Sequence, residues 1–247
     1  MSDAGEAFPQ TRLSVVEALR SPNVAERERG LDVLFAAYWK PIYKYIRLKF
    51  SQSPHDAQDL TQGLFAELLE RELLSRFDPS KSRLRTYFRL CADSYVMNEL
   101  KAASRKKRGG DIAHVALDFS AAEDELRAQA IDPEKLRSPD SLEDFFEKEW
   151  IRSLFSSAIE ELGDICEKRG RQKALQLFET YDLDGEENIS YAELAAKFSL
   201  PITEVNNQLA WVRREFRRIA LEQLRALCAT EEEFTREAKA LFDVSLQ

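Results

Sequence analysis

Apolar residues recur at intervals of three and four along most of the chain, the period of helices buried on one face. Leu31, Leu34, Phe35, Tyr38, Ile42, Tyr45 and Ile46 form one such stripe and predict a helix over 23–50. Pro41 falls inside it, where a missing N–H should kink or split the helix. Ser53-Pro54 is a start signal, and Leu60, Leu64, Phe65, Leu68 and Leu69 mark a second helix over 54–74. After the turn Phe77-Asp78-Pro79-Ser80, a third long helix is predicted over 82–106, stopped by Gly109-Gly110. Residues 111–142 lose the period; polar, acidic and carrying Pro133 and Pro139, they read as a linker with one short helix near 121–130. The period returns with Trp150, Leu154, Ile159, Leu162 and Ile165, predicting a helix over 145–168. Further helices are predicted over 172–180, 191–198, 203–226 and 231–243. The fold class is therefore all-α: two helical domains joined by an acidic linker, the second containing a helix-turn-helix.

Composition agrees, with only 8 Gly and 8 Pro in 247 residues. No apolar run reaches the ~18 residues of a membrane span, and the polar start MSDAGEAFPQ lacks a signal core. The expected location is the cytoplasm, which also suits Cys91, Cys166 and Cys228, odd in number and far apart. His55 and His114 stand in unrelated segments. With no phosphate-binding glycine loop, metal cluster or nucleophile–base pair in the sequence, no enzyme activity and no cofactor are expected.

Net charge is −8, but its distribution matters more than its sum. From Lys81 to Arg108 there are nine Lys/Arg against two acids; from Asp111 to Trp150 there are twelve Asp/Glu against four bases. A basic block followed by an acidic one suggests a binding face and then a solvated linker.

FETYDLDGEENISYAELAAKFSLP, from Phe178 to Pro201, admits two readings. As a calcium loop it offers oxygens at Asp182, Asp184, Glu186, Asn188, Ser190 and Glu193, but its sixth position, where the chain needs glycine, is Glu187. A polar turn in which Asn188 or Ser190 caps the next helix is the simpler account. As a helix-turn-helix it places a short helix at 191–198, a turn at Ser199-Leu200-Pro201 and a second helix from Thr203. Ser199 stands where such turns often carry Gly, so the turn should take another form. Thr203, Glu204, Asn206, Asn207 and Gln208 form the polar start of the second helix; Asn and Gln can pair bidentately with adenine in the major groove. Arg213, Arg214, Arg217 and Arg218 follow one to two turns later, placed for phosphates.

Two further segments add to this. DAQDLTQGLFAELLE at 56–70 resembles the helix by which sigma factors grip core RNA polymerase. RLRTYFRLCADSYVMNELKAASRKKRGG at 83–110 resembles the next helix, which melts and reads the −10 promoter element. With TRLSVVEAL, YWKPIYKYIR, KRGG and FFEKEW in order along the chain, the whole resembles an extracytoplasmic-function (ECF) sigma factor of the sigma-70 superfamily. The resemblance implies a region 2 domain at 11–110, an acidic linker at 111–140 lying in the polymerase channels, a region 4 domain at 141–229 reading the −35 element, and an amphipathic tail at 230–247.

The implied core-polymerase contacts are Asp56, Asp59, Gln62 and Phe65; Asp56, Asp59 and Gln62, three apart, should share an exposed face. The implied −10 contacts are Arg85, Tyr87, Tyr95, Asn98, Arg105, Lys106, Lys107 and Arg108, with Phe88 read as core. Aromatics interleaved with cations suit unstacked bases. A phosphoryl group on Thr61 would add roughly −1.5 to −2 charges beside the acidic face. The implied partners are thus core RNA polymerase, promoter DNA and, for control, an anti-sigma factor or a serine/threonine kinase. The alternative is a non-sigma helix-turn-helix DNA-binding regulator, which leaves 56–70 and the KRGG segment unexplained.

Overall fold

The computed structural model describes residues 14–70, 76–103, 117–131, 136, 138–183 and 189–242, and among these all regular structure is helical. The elements are α1 (Val15–Arg20), α2 (Val24–Lys49), α3 (Pro54–Glu70), α4 (Leu84–Ala103), α5 (Phe119–Ala128), α6 (Pro139–Lys168), α7 (Gln172–Phe178), α8 (Tyr191–Phe198), α9 (Ile202–Leu227) and α10 (Glu231–Phe242). A single π-helical turn, Glu179–Leu183, extends α7. Two compact units result, one of residues 1–150 with 225–247, the other of residues 151–224; their boundaries run through α6 and α9.

In the first unit α2 is the central element. Of the seven residues in the stripe read from the sequence, Leu34, Tyr38, Ile42, Tyr45 and Ile46 are fully buried, while Leu31 and Phe35 are half-buried. Tyr38 stacks on Phe88 of α4 with ring centres 4.5 Å apart, Phe35 meets Phe65 of α3 edge-on at 4.7 Å, and Tyr45 meets Phe146 of α6 at 5.5 Å. The helix runs through Pro41 without being split. Pro41 is itself buried in this core, and packing on both sides of it offsets the one lost backbone hydrogen bond.

Helix α1 is set by a capping box: Ser14 Oγ accepts from the Glu17 N–H, and Glu17 Oε2 accepts from the Ser14 N–H at 3.0 Å. Arg20 then donates to the Phe77 carbonyl at 2.8 Å, tying α1 to the turn before α4. The short helix read at 121–130 is α5, and its Phe119, Ala122 and Leu126 are buried; Phe119 packs on Trp39 and Tyr43 of α2. This part of the acidic segment, expected to be a solvated linker carrying one short helix, is a helix docked on α2. Helix α6 starts earlier than its apolar period announces, at Pro139, where Ser138 Oγ accepts from the Ser141 N–H at 3.1 Å.

The core of the second unit is Ala158, Leu162 and Cys166 of α6, Ala174, Leu177 and Phe178 of α7, Leu194 and Ala195 of α8, and Val205, Leu209, Val212 and Ile219 of α9. Phe216 joins it against Phe155 and Phe178. Between α8 and α9, Ser199 adopts the left-handed conformation (φ 51°, ψ 48°), with the Leu200 N–H bonded to the Ala195 carbonyl at 2.9 Å. The turn therefore keeps the glycine-type form despite the serine, contrary to expectation. Satisfying the α8 carbonyls outweighs a left-handed penalty of about 1–2 kcal/mol.

Close packing of α1 on α2 depends on Gly30. A Cβ there would lie 2.9 Å from the Ala18 Cβ, an atom that no rotamer change can move. Gly30→Ala gains helix propensity of about 1 kcal/mol, but overpacking costs about 1–3 kcal/mol. The variant should be less stable by about 1 kcal/mol in urea unfolding, with α1 amides exchanging faster than in the parent.

Candidate nucleic-acid interface

Helix α3 presents fewer residues than its spacing suggested. Asp56 and Asp59 are exposed; Asp56 accepts from Ser53 Oγ at 2.6 Å at the helix start, and Asp59 lies 3.4 Å from His55 Nδ1. Gln62, placed on the same face by spacing alone, is only 8% exposed, and Phe65 is buried against Phe35. The reason is that α3 packs against both α2 and α4, so its buried arc is wider than a single neighbour would require. Thr61 is wholly buried and its hydroxyl donates to the Ala57 carbonyl at 2.7 Å. A kinase could reach that oxygen only if α3 opened.

On α4 the largest correction concerns Arg85. Read as a phosphate contact, it is buried and donates to Glu147 of α6 and Glu237 of α10, both at 2.8 Å, with its guanidinium 4.7 Å from the Trp150 ring centre. Burial alone would lower its pKa, but the two carboxylates outweigh that and raise it. Glu237 is only 4% exposed and also lies 3.2 Å from Arg83. Arg89 pairs with Glu143 at 3.0 Å. The basic start of α4 is thus neutralised by carboxylates from α6 and α10 in the same unit.

Farther along α4, Tyr87 and Tyr95 are half-buried, Tyr87 lying 5.3 Å from Phe77. Burial pushes both phenols up to about 12, so both are neutral at physiological pH. Phe88 is core, as expected. Asn98 is exposed, as are the apolar side chains of Leu90, Met97 and Leu100. Arg105, Lys106, Lys107 and Arg108 lie outside the described residues.

Helix α5 brings a second set of acids to α2. Glu123 accepts from Arg47 (2.7 and 2.9 Å) and from the Tyr43 hydroxyl at 2.9 Å; Glu125 accepts from Lys40 at 2.7 Å and Lys44 at 2.8 Å. Lys44, almost completely buried, is also 2.7 Å from Glu149 of α6. The Arg47 hydrogen bonds hold the Glu123 carboxyl below its usual range; for Glu125, burial acts upward but the two lysines outweigh it.

On α9, Thr203, Asn206, Asn207, Arg214 and Arg217 are exposed. Positions 203, 207, 210, 214 and 217, separated by three or four, make one continuous face. Glu204 and Gln208 are half-buried and bonded to each other at 2.5 Å, so they stand at the edge of that face. Arg213 is withdrawn from it: Asp182 takes both its Nε and Nη2 (2.9 and 2.8 Å), and Tyr191 Oη accepts from Nη1 at 3.1 Å. Asp182, the first oxygen of the calcium-loop reading, is spent on this pair, and Ser190 and Glu193 form the capping box of α8. The backbone and hydroxyl of Ser190 hold the Glu193 carboxyl below its usual range. Residues 184–188, the middle of that loop, lie outside the described residues. On the other edge of the α9 face, Arg171 and Arg169 lie over Trp211, their guanidinium carbons 4.4 and 6.0 Å from the ring centre. Neither was singled out by spacing; the basic run KRGRQK at 168–173 was the available signal.

Residues 34–106 match the family model for sigma-70 region 2, which covers most of α2 and all of α3 and α4. No curated protein and no solved structure matches the chain. The match spans 73 of the 247 residues and makes this segment similar to region 2 of sigma-70 factors, which are transcription initiation factors. No described helix is long and apolar enough to cross a membrane.

Two outcomes follow from this site. Glu237→Ala would leave Arg85 buried with one carboxylate fewer, and breaking a buried pair costs about 3–5 kcal/mol; urea unfolding should show a loss of that order. The second outcome concerns acid. The folded pKa values of Glu123 and Glu125 lie below their unfolded values, so their contribution is complete above the unfolded carboxylate range and disappears as pH falls through the folded values. Stability should therefore decline below about pH 5, and Glu123→Gln should lower it at neutral pH while flattening that acid decline.

Proposed function

We propose that the chain is an ECF-type sigma factor that binds core RNA polymerase through α3 and directs it to promoters, reading the −10 element with α4 and the −35 element with α8 and α9 as a helix-turn-helix. The observation that carries this reading is the region 2 match over α2–α4 in a chain whose α9 separately exposes a face of Thr203, Asn206, Asn207, Arg214 and Arg217. Asp56 and Asp59 supply an acidic patch for a basic polymerase surface. Tyr87, Tyr95 and Asn98, with Arg105, Lys106, Lys107 and Arg108, form the −10 set; Arg85 is left out of it. Residues 111–140 serve as the linker between the promoter-binding regions, in the cytoplasm. Control lies with an anti-sigma partner; a kinase acting at Thr61 would first have to open α3.

Run-off transcription with core polymerase on a promoter library tests the whole reading. Transcripts starting at a shared promoter motif are expected. DNA binding with no polymerase association in a pull-down would instead identify a non-sigma regulator. Asp56→Arg with Asp59→Arg should weaken the core complex about tenfold or more, about 1.4 kcal/mol per decade, while circular dichroism stays unchanged because both residues are exposed. On selected promoters, Arg214→Ala should weaken binding to all sequences and reduce the salt slope by about 1. Asn206→Ala or Asn207→Ala should relax preference at particular base pairs; a uniform loss from them would refute direct readout.

A further inference from the structure

The turn joining α6 to α7 carries KRGRQK, residues 168–173, four cations in six positions. Its backbone is rigidly specified. Gly170 has φ +64°, its N–H bonds the Glu167 carbonyl at 3.1 Å, and the Arg171 N–H bonds the Cys166 carbonyl at 2.7 Å. This is the paired closure of a helix C-terminus around a left-handed glycine. It aims Arg171 and Arg169 at the indole of Trp211, on the rim of the exposed α9 face. Among the described residues no carboxylate forms an ion pair with either arginine, whereas Arg213 and Arg218 of α9 are both paired.

Local stability does not account for these charges. Lys168 and Arg169 complement the negative end of α6. Arg171 and Lys173, however, stand at the N-cap and in the first turn of α7, where the helix dipole favours anions. Arg171 makes no side-chain capping bond, and the first turn of α7 contains no acid. Serine or aspartate at the cap and glutamate after it would serve α7 better. A capping rule broken with only the stacking on Trp211 in return is where function is expected to act.

We propose that the 168–173 turn is a phosphate clamp: Arg169 and Arg171, held by Trp211, grip the DNA backbone beside the segment that α9 reads. The ligand is the phosphodiester chain of duplex DNA, contacted without regard to base sequence. This rests on the reading of α9 as a DNA-binding helix. The two guanidiniums lie on the rim beside Trp211, opposite the edge that Arg213 closes, so the clamp fixes the position of α9 while Asn206 and Asn207 read bases. Trp211 acts as a positioning residue, since stacking fixes the planes of two otherwise flexible side chains.

The test uses the full chain with core polymerase and a promoter duplex selected from the random library, measured by anisotropy across a salt series. Arg169→Ala with Arg171→Ala should reduce the salt slope by about 2 and lower affinity about tenfold at moderate salt, with base preference and melting temperature unchanged. Trp211→Leu, which keeps every charge, should lower affinity about two- to fivefold with a nearly unchanged slope. Arg171→Ser should keep or raise the melting temperature while weakening DNA. An unchanged slope in the double variant, or a fall in melting temperature with DNA affinity intact, would overturn the clamp and leave the arginines as packing for Trp211 or as a site for an acidic protein. If the wild-type complex selects no duplex at all, the promoter-reading function itself fails and the clamp with it.

Discussion

Two buried cations, Lys44 of α2 and Arg85 of α4, govern the arrangement of the first unit. A charge removed from water is tolerated only beside a counter-charge with its hydrogen bonds satisfied. Lys44 finds Glu125 from α5 and Glu149 from α6; Arg85 finds Glu147 from α6 and Glu237 from α10. Three segments remote in sequence are thereby held to the α2–α4 core. That is why this unit takes in the first part of α6 and the last helix of the chain. The apolar contacts around Tyr38, Phe88 and Trp150 provide the driving force, and the ion pairs determine which segment docks where.

The same pairing changes the meaning of the charge distribution. The basic and acidic blocks partly neutralise each other inside one folded unit. Helix α5 covers Lys40, Lys44 and Arg47, while α6 and α10 cover Arg83, Arg85 and Arg89. What remains open on α4 is its middle and later part, with Tyr95 half-buried and Asn98 and Met97 exposed. On α9 the division is similar: Arg213 is tied down by Asp182 and Tyr191, while Arg214 and Arg217 stay exposed. Exposure, and not basicity alone, separates the side chains that can meet phosphates from those that build the fold.

Periodicity anticipated every described helix except the six-residue α1, because one buried stripe is a local property. It placed the α2 core residues and Phe88, and it found the short helix within the acidic segment. It misjudged Gln62 because spacing along one helix cannot say how many neighbours that helix has, and α3 has two. The split it allowed at Pro41 does not occur, because a lost hydrogen bond is a local cost that surrounding packing can offset. At Ser199 the propensity argument pointed the wrong way for the same reason: closing α8 onto α9 outweighs the preference of one residue.

The sequence by itself determined the helical class, the approximate bounds of the helices and the order of motifs along the chain. These depend on intervals of three and four and on capping residues, which act within a few positions. Only the tertiary structure decided which cations are free. Arg85 and Arg214 look alike as letters, and each lies in a basic, helical stretch. One meets carboxylates 62 and 152 residues away and the other meets solvent. No local pattern encodes that difference, because an ion pair depends on distance in space and the chain brings those acids near only after its apolar faces have packed.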